Sequence, residues 1–315
     1  MRLLKNVFIG IIAVCFILFL GLNWYFSNLI LTPNSSIERT ESRIEEQWGS
    51  TLEKMLAPLP SPTDFQIVGY EDVPITGKYF QQAGDSAQCA VIFAHGWTST
   101  WAGMLKYATI FNECGCDLVL YNHRSHGTSG NAPPTAGIHE KEDLLRLTDW
   151  VQQEHGYGLH QIGWVGASWG AAAVLQAGAA DKDVAFILAD APFQDWYTAI
   201  FERAIRDYGQ PIEYLAGSVM TTVGFRAGVD TEQASPLNAT KNIVEPVLLI
   251  HSQGDRQTNS QQSVNIAKNL NTQSEFHHLD WGGDHTADVR INKERYANLV
   301  YQFLDKKVNG FARCR

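Results

Sequence analysis

Apolar positions fall into three regimes along the chain. Residues 7–26, "VFIGIIAVCFILFLGLNWYF", are apolar almost without interruption, with no charge and Asn23 as the one strongly polar side chain. Twenty residues at about 1.5 Å each reach about 30 Å, the hydrocarbon thickness of a bilayer, so this run predicts a membrane-spanning helix. The next stretch, "SSIERTESRIEEQWGSTLEKML", carries Ile37, Ile44, Trp48, Leu52 and Met55 at helical spacing. It predicts one amphipathic helix, opened by a capping box of Ser35 with Glu38 and ended by the proline-rich "APLPSP". From residue 64 the pattern changes to short apolar runs of strand length. "FQIVGY" and "GKYF" predict a hairpin, and "AVIFA", "DLVLY", "IGWVG", "AFILA", "PVLLI" and "FHHLD" predict further strands. Segments such as "KEDLLRLTDWVQQEH" and "SQQSVNIAKNL" between them have helical periodicity. Strands alternating with helices imply an α/β fold, a mainly parallel sheet covered on both faces. Residues 191–246 are too many for a simple crossover and carry "DWYTAIFERAIRDYGQPIEYLAGSVM", which predicts a helical cap over the sheet edge. The expected organisation is a membrane anchor at 1–30, an amphipathic helix and linker at 31–63, and an α/β body at 64–315 with the cap inserted at about 191–246.

Charge orients the first segment. Arg2 and Lys5 precede the apolar run, whereas Arg39 and Arg43 come well after it among glutamates. That bias places the N-terminus in the cytoplasm and the body on the extracytoplasmic side, periplasmic or extracellular, with Trp24 and Tyr25 at the interface. A cleaved signal peptide is the alternative, but "LNWYFSNL" offers no small-residue cleavage pattern, so an uncleaved anchor is expected. The 315 residues are 45% hydrophobic and 18% charged, which is ordinary for a globular body. A net charge of −9 with no basic stripe argues against nucleic-acid binding. No zinc-type Cys/His spacing is present and no cofactor or metal is implied. Of the five cysteines, Cys15 lies in the anchor and Cys314 in the tail. Cys89, Cys114 and Cys116 lie in the body; Cys89 and Cys116 open two predicted strands, and if those strands are neighbours an oxidising compartment joins them, free half-buried cysteines being the other reading.

"GWVGASWGAA" holds the candidate chemistry. "IGWVG" reads as a strand and "WGAAAVLQAGAA" as a helix, so Gly-Ala-Ser-Trp-Gly is the turn between them, the context that makes Gly-x-Ser-x-Gly a nucleophile elbow. Gly166 and Gly170 are expected because side chains there collide with the neighbouring strand and helix. Ser168 is then exposed above the strand ends, at a helix N-terminus that favours developing negative charge.

With these motifs, residues 64–308 resemble the α/β-hydrolase superfamily. "FAHGW" is similar to the family's segment after the third strand, which helps form an oxyanion hole. "YNHRSHGTSG" resembles its loop after the fourth strand, with Asn122 in place of an aspartate and Ser125 in place of a glycine. "HSQGD" and "GGDH" resemble the acid and histidine segments. "TAGIHEKEDLLRLTDWV" followed by "ADAPF" is similar to the serine-aminopeptidase-like and prolyl-oligopeptidase-like branch.

The residues themselves lead to the same assignments. A serine hydroxyl needs an adjacent base. His285, in the glycine-rich "DWGGDH" after the last strand, completes the Ser, Asp, His order of this fold. His277 and His278 sit inside a strand and read as core; His123 and His126 form an H-x-x-H on a loop, a weak metal pair. Asp255, one turn after "PVLLIHSQG", is the expected acid that orients the imidazole. Asp190 is the runner-up, and Asp284 is too close to His285 in sequence to reach its ring. The backbone N–H groups of Trp169 and Trp97 are the expected oxyanion donors, their indoles walling the acyl site. The expectation is a serine hydrolase acting on a small-molecule carboxylic ester or amide. A peptidase and a non-catalytic binding module of the same fold are the alternatives.

Overall fold

The computed structural model describes residues 2–83, 87–180, 183–309 and 311. The apolar run forms α1 (Arg2–Leu31), in which only Asn23 and Ser27 are buried. Among the described residues it is the one helix long and apolar enough to cross a membrane. The amphipathic stretch forms two helices, not the single one its spacing predicts: α2 (Ile37–Trp48) and α3 (Leu52–Leu56). Gly49 turns left-handed at φ 60°, and the Gly49 and Ser50 N–H groups close onto the Glu45 and Ile44 carbonyls, a C-terminal cap that ends α2. The N-cap is Ser36, which accepts from the Arg39 N–H, whereas the Ser35 hydroxyl donates to the Ser99 carbonyl. The cap therefore lies one residue later than expected, and with Arg39 at the third helical position the expected capping box does not form.

Eight strands form one sheet among the described residues, in the order β1-β2-β4-β3-β5-β6-β7-β8. They are β1 (Pro62–Val68), β2 (Pro74–Phe80), β3 (Ala90–Ala94), β4 (Asp117–Tyr121), β5 (Ile162–Ala167), β6 (Phe186–Asp190), β7 (Val247–Ser252) and β8 (Glu275–Leu279). β1 and β2 make the predicted antiparallel hairpin, β2 pairs antiparallel with β4, and all later pairings are parallel. Between and after the strands run α4 (Leu105–Glu113), α5 (Ile138–His155), α6 (Trp169–Ala177), α7 (Trp196–Tyr208), α8 (Glu213–Ala227), α9 (Pro236–Ala239), α10 (Gln261–Ala267), α11 (Asp288–Ile291) and α12 (Lys293–Lys307).

Alternation along β3 divides the core between the two faces. Val91 and Phe93 pack with Phe111 of α4 and Phe303 of α12, while Ile92 and Ala94 pack with Leu144 of α5 and Leu175 of α6. Such strands are buried on both faces, which is why they read as continuous apolar runs. β8 has one neighbour, so the expectation that His277 and His278 are core residues fails: His278 is exposed and His277 half-buried beside Glu275. Cys89 and Cys116 precede the adjacent β3 and β4 and form a buried disulfide, Cα to Cα 4.7 Å. Cys114 is disulfide-bonded as well, and Cys314 lies outside the described residues.

Two accessory elements close on the strand ends. α7, α8 and α9 occupy the interval expected to form a cap. α1 docks on this cap by its last turns: Arg226 of α8 donates to the Trp24 carbonyl, Ser27 Oγ and Asn28 Oδ1, and stacks over the Trp24 ring at 4.0 Å. Phe26 meets the Tyr208 ring at 5.2 Å. α2 packs its apolar side, with Ile44 fully buried, into the core cluster that contains α4.

Candidate active site

The turn between β5 and α6 holds Ser168 at φ 55° and ψ −112°, a backbone region costly for a residue with a side chain and tolerated where function needs it. Both flanking glycines are dictated by close approach. A Cβ on Gly166 would lie 2.4 Å from the Gly170 carbonyl oxygen, and one on Gly170 would lie 1.9 Å from the Ala94 oxygen of β3.

Two loops bring the partners to this serine. Ser168 Oγ donates to His285 Nε2 at 2.6 Å, and His285 Nδ1 donates to Asp255 Oδ2 at 2.6 Å. Asp255, after β7, is held by the Gln257 and Thr258 N–H groups, 2.8 and 2.9 Å from Oδ1. Burial opposes the charge on this carboxyl, but the hydrogen bonds from His251 and His285 outweigh it and keep its pKa far below the ordinary carboxylate range. Asp255 is thus an ionised acceptor, and it fixes the His285 tautomer whose Nε2 lone pair faces the serine proton.

The other predicted acids are placed differently. Asp190 accepts from the Tyr107 and Tyr296 hydroxyls at 2.7 and 2.9 Å. Asp284 pairs with Arg256 and accepts the His285 backbone N–H at 2.8 Å, which steadies the histidine loop without touching the ring. His251 was missed in the sequence. It donates from Nε2 to the same Asp255 Oδ2 at 3.0 Å, and its Nδ1 accepts from the Ser263 hydroxyl at 2.6 Å. Its position four residues before Asp255, at the end of β7, is the signal that could have revealed it.

The loop after β3 runs directly beside the serine, since a Cβ on Gly96 would lie 3.3 Å from Ser168 Cβ. Trp97 follows there, its indole 4.7 Å from that of Trp169. Behind this loop His95, His123 and His126 form a buried ring cluster. His95 donates to the Gly96 carbonyl at 2.8 Å and accepts the His123 N–H at 3.0 Å; His123 and His126 donate to the His95 and Arg124 carbonyls at 3.1 and 2.8 Å. Burial pushes His123 down to about 3 and His126 to about 4, so the cluster is neutral. The H-x-x-H thus braces the Gly96-Trp97 loop, and among the described residues no group of three His, Cys, Asp or Glu side chains is arranged to hold a metal. Asn122 accepts the Trp101 N–H at 2.9 Å, and Ser125 Oγ accepts the Ala132 N–H at 3.1 Å, so both departures in that loop are bonded.

Ser168 and His285 open into a cavity of about 690 Å³, the size of a small-molecule site. One wall is apolar: Phe193, Trp196 and Val219 of the cap region and Phe26, Leu29 and Ile30 of α1. α2 contributes Arg43, Gln47 and Trp48 to the lining. A nucleophile, a base and an oriented acid beside a cavity suit acyl transfer through a covalent intermediate.

Comparison with known proteins places this chain among hydrolases. Residues 132–311 match the model of the prolyl oligopeptidase family. A Bacillus subtilis (strain 168) protein, YqkD, described as uncharacterized, is 28% identical over 290 residues, covering 89% of this chain and 91% of its own. The Pyrococcus furiosus esterase Pf2001 superposes with a TM-score of 0.69 at 20% identity, covering 89% of this chain and 99% of the esterase. The Pyrococcus horikoshii acylaminoacyl peptidase superposes with a TM-score of 0.59 at 17% identity, covering 80% of this chain and 42% of the peptidase.

Proposed function

The chain belongs to the prolyl oligopeptidase family and has the α/β-hydrolase fold of a serine hydrolase, and from that premise we propose that it is a membrane-anchored esterase cleaving carboxylic esters through an acyl-enzyme. The observation that carries this reading is the hydrogen-bonded chain Asp255–His285–Ser168 at the mouth of a cavity with a largely apolar wall. Ser168 Oγ attacks the acyl carbon while His285 Nε2 takes its proton and then delivers it to the leaving alcohol. Asp255 holds the imidazole and stabilises its cation, and the backbone N–H groups of Trp97 and Trp169 receive the oxyanion. Water repeats the sequence on the acyl-enzyme. Ester is favoured over aminopeptide because, among the described residues, the acid lining the cavity, Asp207, is paired with Arg206 and Arg203, and no carboxylate pair is there for an N-terminal amine.

α1 supports a single-pass anchor with the body outside the cytoplasm, a placement that also suits the Cys89–Cys116 disulfide. Resistance to alkaline carbonate extraction and protease access from outside intact cells test it; a body that external protease never reaches overturns the topology.

The catalytic test is fluorophosphonate labelling with a panel of acyl esters and aminoacyl amides. Ser168→Ala abolishes labelling, and Ser168→Ala and His285→Ala each lower turnover by about 10⁵-fold or more, with the double variant scarcely worse. Asp255→Asn costs about 10⁴-fold. Labelling that survives Ser168→Ala refutes the reading, and amides outrunning matched esters shift it to a peptidase.

A further inference from the structure

Three cations line the active-site cavity on its α2 side: Arg43 from α2, Lys106 from α4 and Arg290 from α11. The Lys106 ammonium and the Arg290 guanidinium lie over the Trp48 ring at 5.6 and 5.4 Å from its centroid, and Lys106 lies 5.0 Å from the Tyr107 ring. All of their hydrogen-bond partners are neutral. Arg43 Nη2 donates to the carbonyl and hydroxyl of Thr98 at 3.4 and 3.2 Å, Lys106 Nζ to the carbonyl and hydroxyl of Thr286 at 2.7 and 2.8 Å, and Arg290 Nη1 to the Gln47 carbonyl at 2.8 Å. Among the described residues none of the three is in a salt bridge, and Arg290 Nε is buried with no hydrogen-bond partner.

Such a group is electrostatically incomplete. Lys106 is buried and Arg43 and Arg290 are half-buried; a buried charge is tolerated when paired and destabilising when uncompensated. Burial pushes Lys106 down to about 7, against the pull of Asp190 and with Arg290 and Arg43 adding to the effect; burial lowers Arg43 and Arg290 as well. Asp190 is the carboxylate within reach of Lys106, but it accepts from Tyr107 and Tyr296 and makes no ion pair with the trio. Among the described residues Lys106 keeps a third N–H and Arg290 its Nη2 N–H groups without a partner.

We propose that Arg43, Lys106 and Arg290 form a subsite for an anionic oxyacid group, carboxylate or phosphate, carried by the alcohol side of the substrate ester. The leaving oxygen must meet His285 Nε2 to be protonated, and Lys106 is bonded to Thr286, the next residue. The acyl group then lies toward Trp97, Trp169 and the apolar wall. Arginine forks match either oxyacid.

This inference rests on the esterase reading above, and its test separates the two. Butyrate esters of 4-hydroxybenzoate, of 4-hydroxyphenyl phosphate and of the neutral 4-hydroxybenzamide are compared on the full chain in detergent. The charged esters are expected to show a KM about tenfold below that of the neutral one, an advantage that shrinks as salt rises. Preference for the carboxylate over the phosphate ester, or the reverse, identifies the oxyacid. Arg290→Gln and Lys106→Met lower kcat/KM for the charged esters about tenfold more than for the neutral one, and Arg290→Lys restores part of the difference. Equal KM values for charged and neutral esters in the parent overturn the subsite whether or not the variants fold. Binding is read independently by titrating Ser168→Ala with the intact esters. If the parent hydrolyses none of them while Ser168→Ala still binds the charged ones more tightly, the subsite stands and the esterase reading falls.

Discussion

Replacing Cys89 and Cys116 by alanine together removes the covalent tie between the starts of β3 and β4. The two residues are 27 apart in sequence, so the bond closes the chain around the α4 crossover. In the chain-entropy description a loop of this size loses about 12 cal/mol/K in the unfolded state, which is about 3.5 kcal/mol at 25 °C. Both sulfurs are fully buried, and the small voids left by their removal add to that loss. At this chain length each kcal/mol moves the melting temperature by about 2–3 °C, so the variant is expected to melt about 7–10 °C below the parent. The assay is thermal unfolding followed by circular dichroism, at two scan rates to separate a shifted equilibrium from faster irreversible loss. The double variant is the right perturbation, because a reductant also attacks the disulfide at Cys114. Fluorophosphonate labelling at 25 °C should be retained, since the bond lies at the opposite ends of the strands from Ser168. A variant melting within about 2 °C of the parent refutes the argument, because the loop term alone predicts more.

Gly170→Ala should destabilise the fold by about 3 kcal/mol and abolish serine labelling, because a rigid backbone oxygen 1.9 Å from the new Cβ cannot yield; a normal melting curve with normal labelling contradicts this. His251→Phe removes one of two imidazole donors to Asp255, and about a tenfold fall in kcat with KM unchanged is expected. The sign on the acid side follows from the same contact. A carboxyl with a depressed folded pKa contributes stability that is present above its unfolded pKa and lost as pH falls through its folded one. Losing the His251 bond raises the folded value, so acid unfolding of the variant begins at a higher pH than in the parent, which a pH titration of the melting temperature measures.

The centre of the sheet was readable because strands buried on both faces leave uninterrupted apolar runs, and every run of strand length quoted from the sequence became a strand. The hairpin and Gly-x-Ser-x-Gly were local signals, and so was the position of Asp255 one turn past β7. What escaped was set by distance in space. Leu52 and Met55 continue the helical period of Ile44 and Trp48 across Gly49, so periodicity could not show the break. His277 and His278 looked buried because a sequence does not say which strand lies at the edge. His251 gains meaning only where Ser263 and Asp255 meet it. For α2, the pattern showed which side is apolar but not that Arg43, on its margin, reaches a cavity shared with residues more than a hundred positions away.

The docking of α1 joins two properties that are ordinarily separate. Trp24, Ser27 and Asn28 hold Arg226, and Phe26, Leu29 and Ile30 line the cavity, all within two turns of one helix. A preparation trimmed before residue 31 for ease of handling therefore has lost part of its apolar cavity wall and uncovered the side of α8 against which α1 packs. Its selectivity among acyl chains belongs to the trimmed form alone. In the proposed anchored state the same linkage runs the other way. A bilayer thinner or thicker than the apolar span changes the helix tilt, and the tilt displaces a cavity wall, so lipid composition becomes a dial on which acyl groups fit.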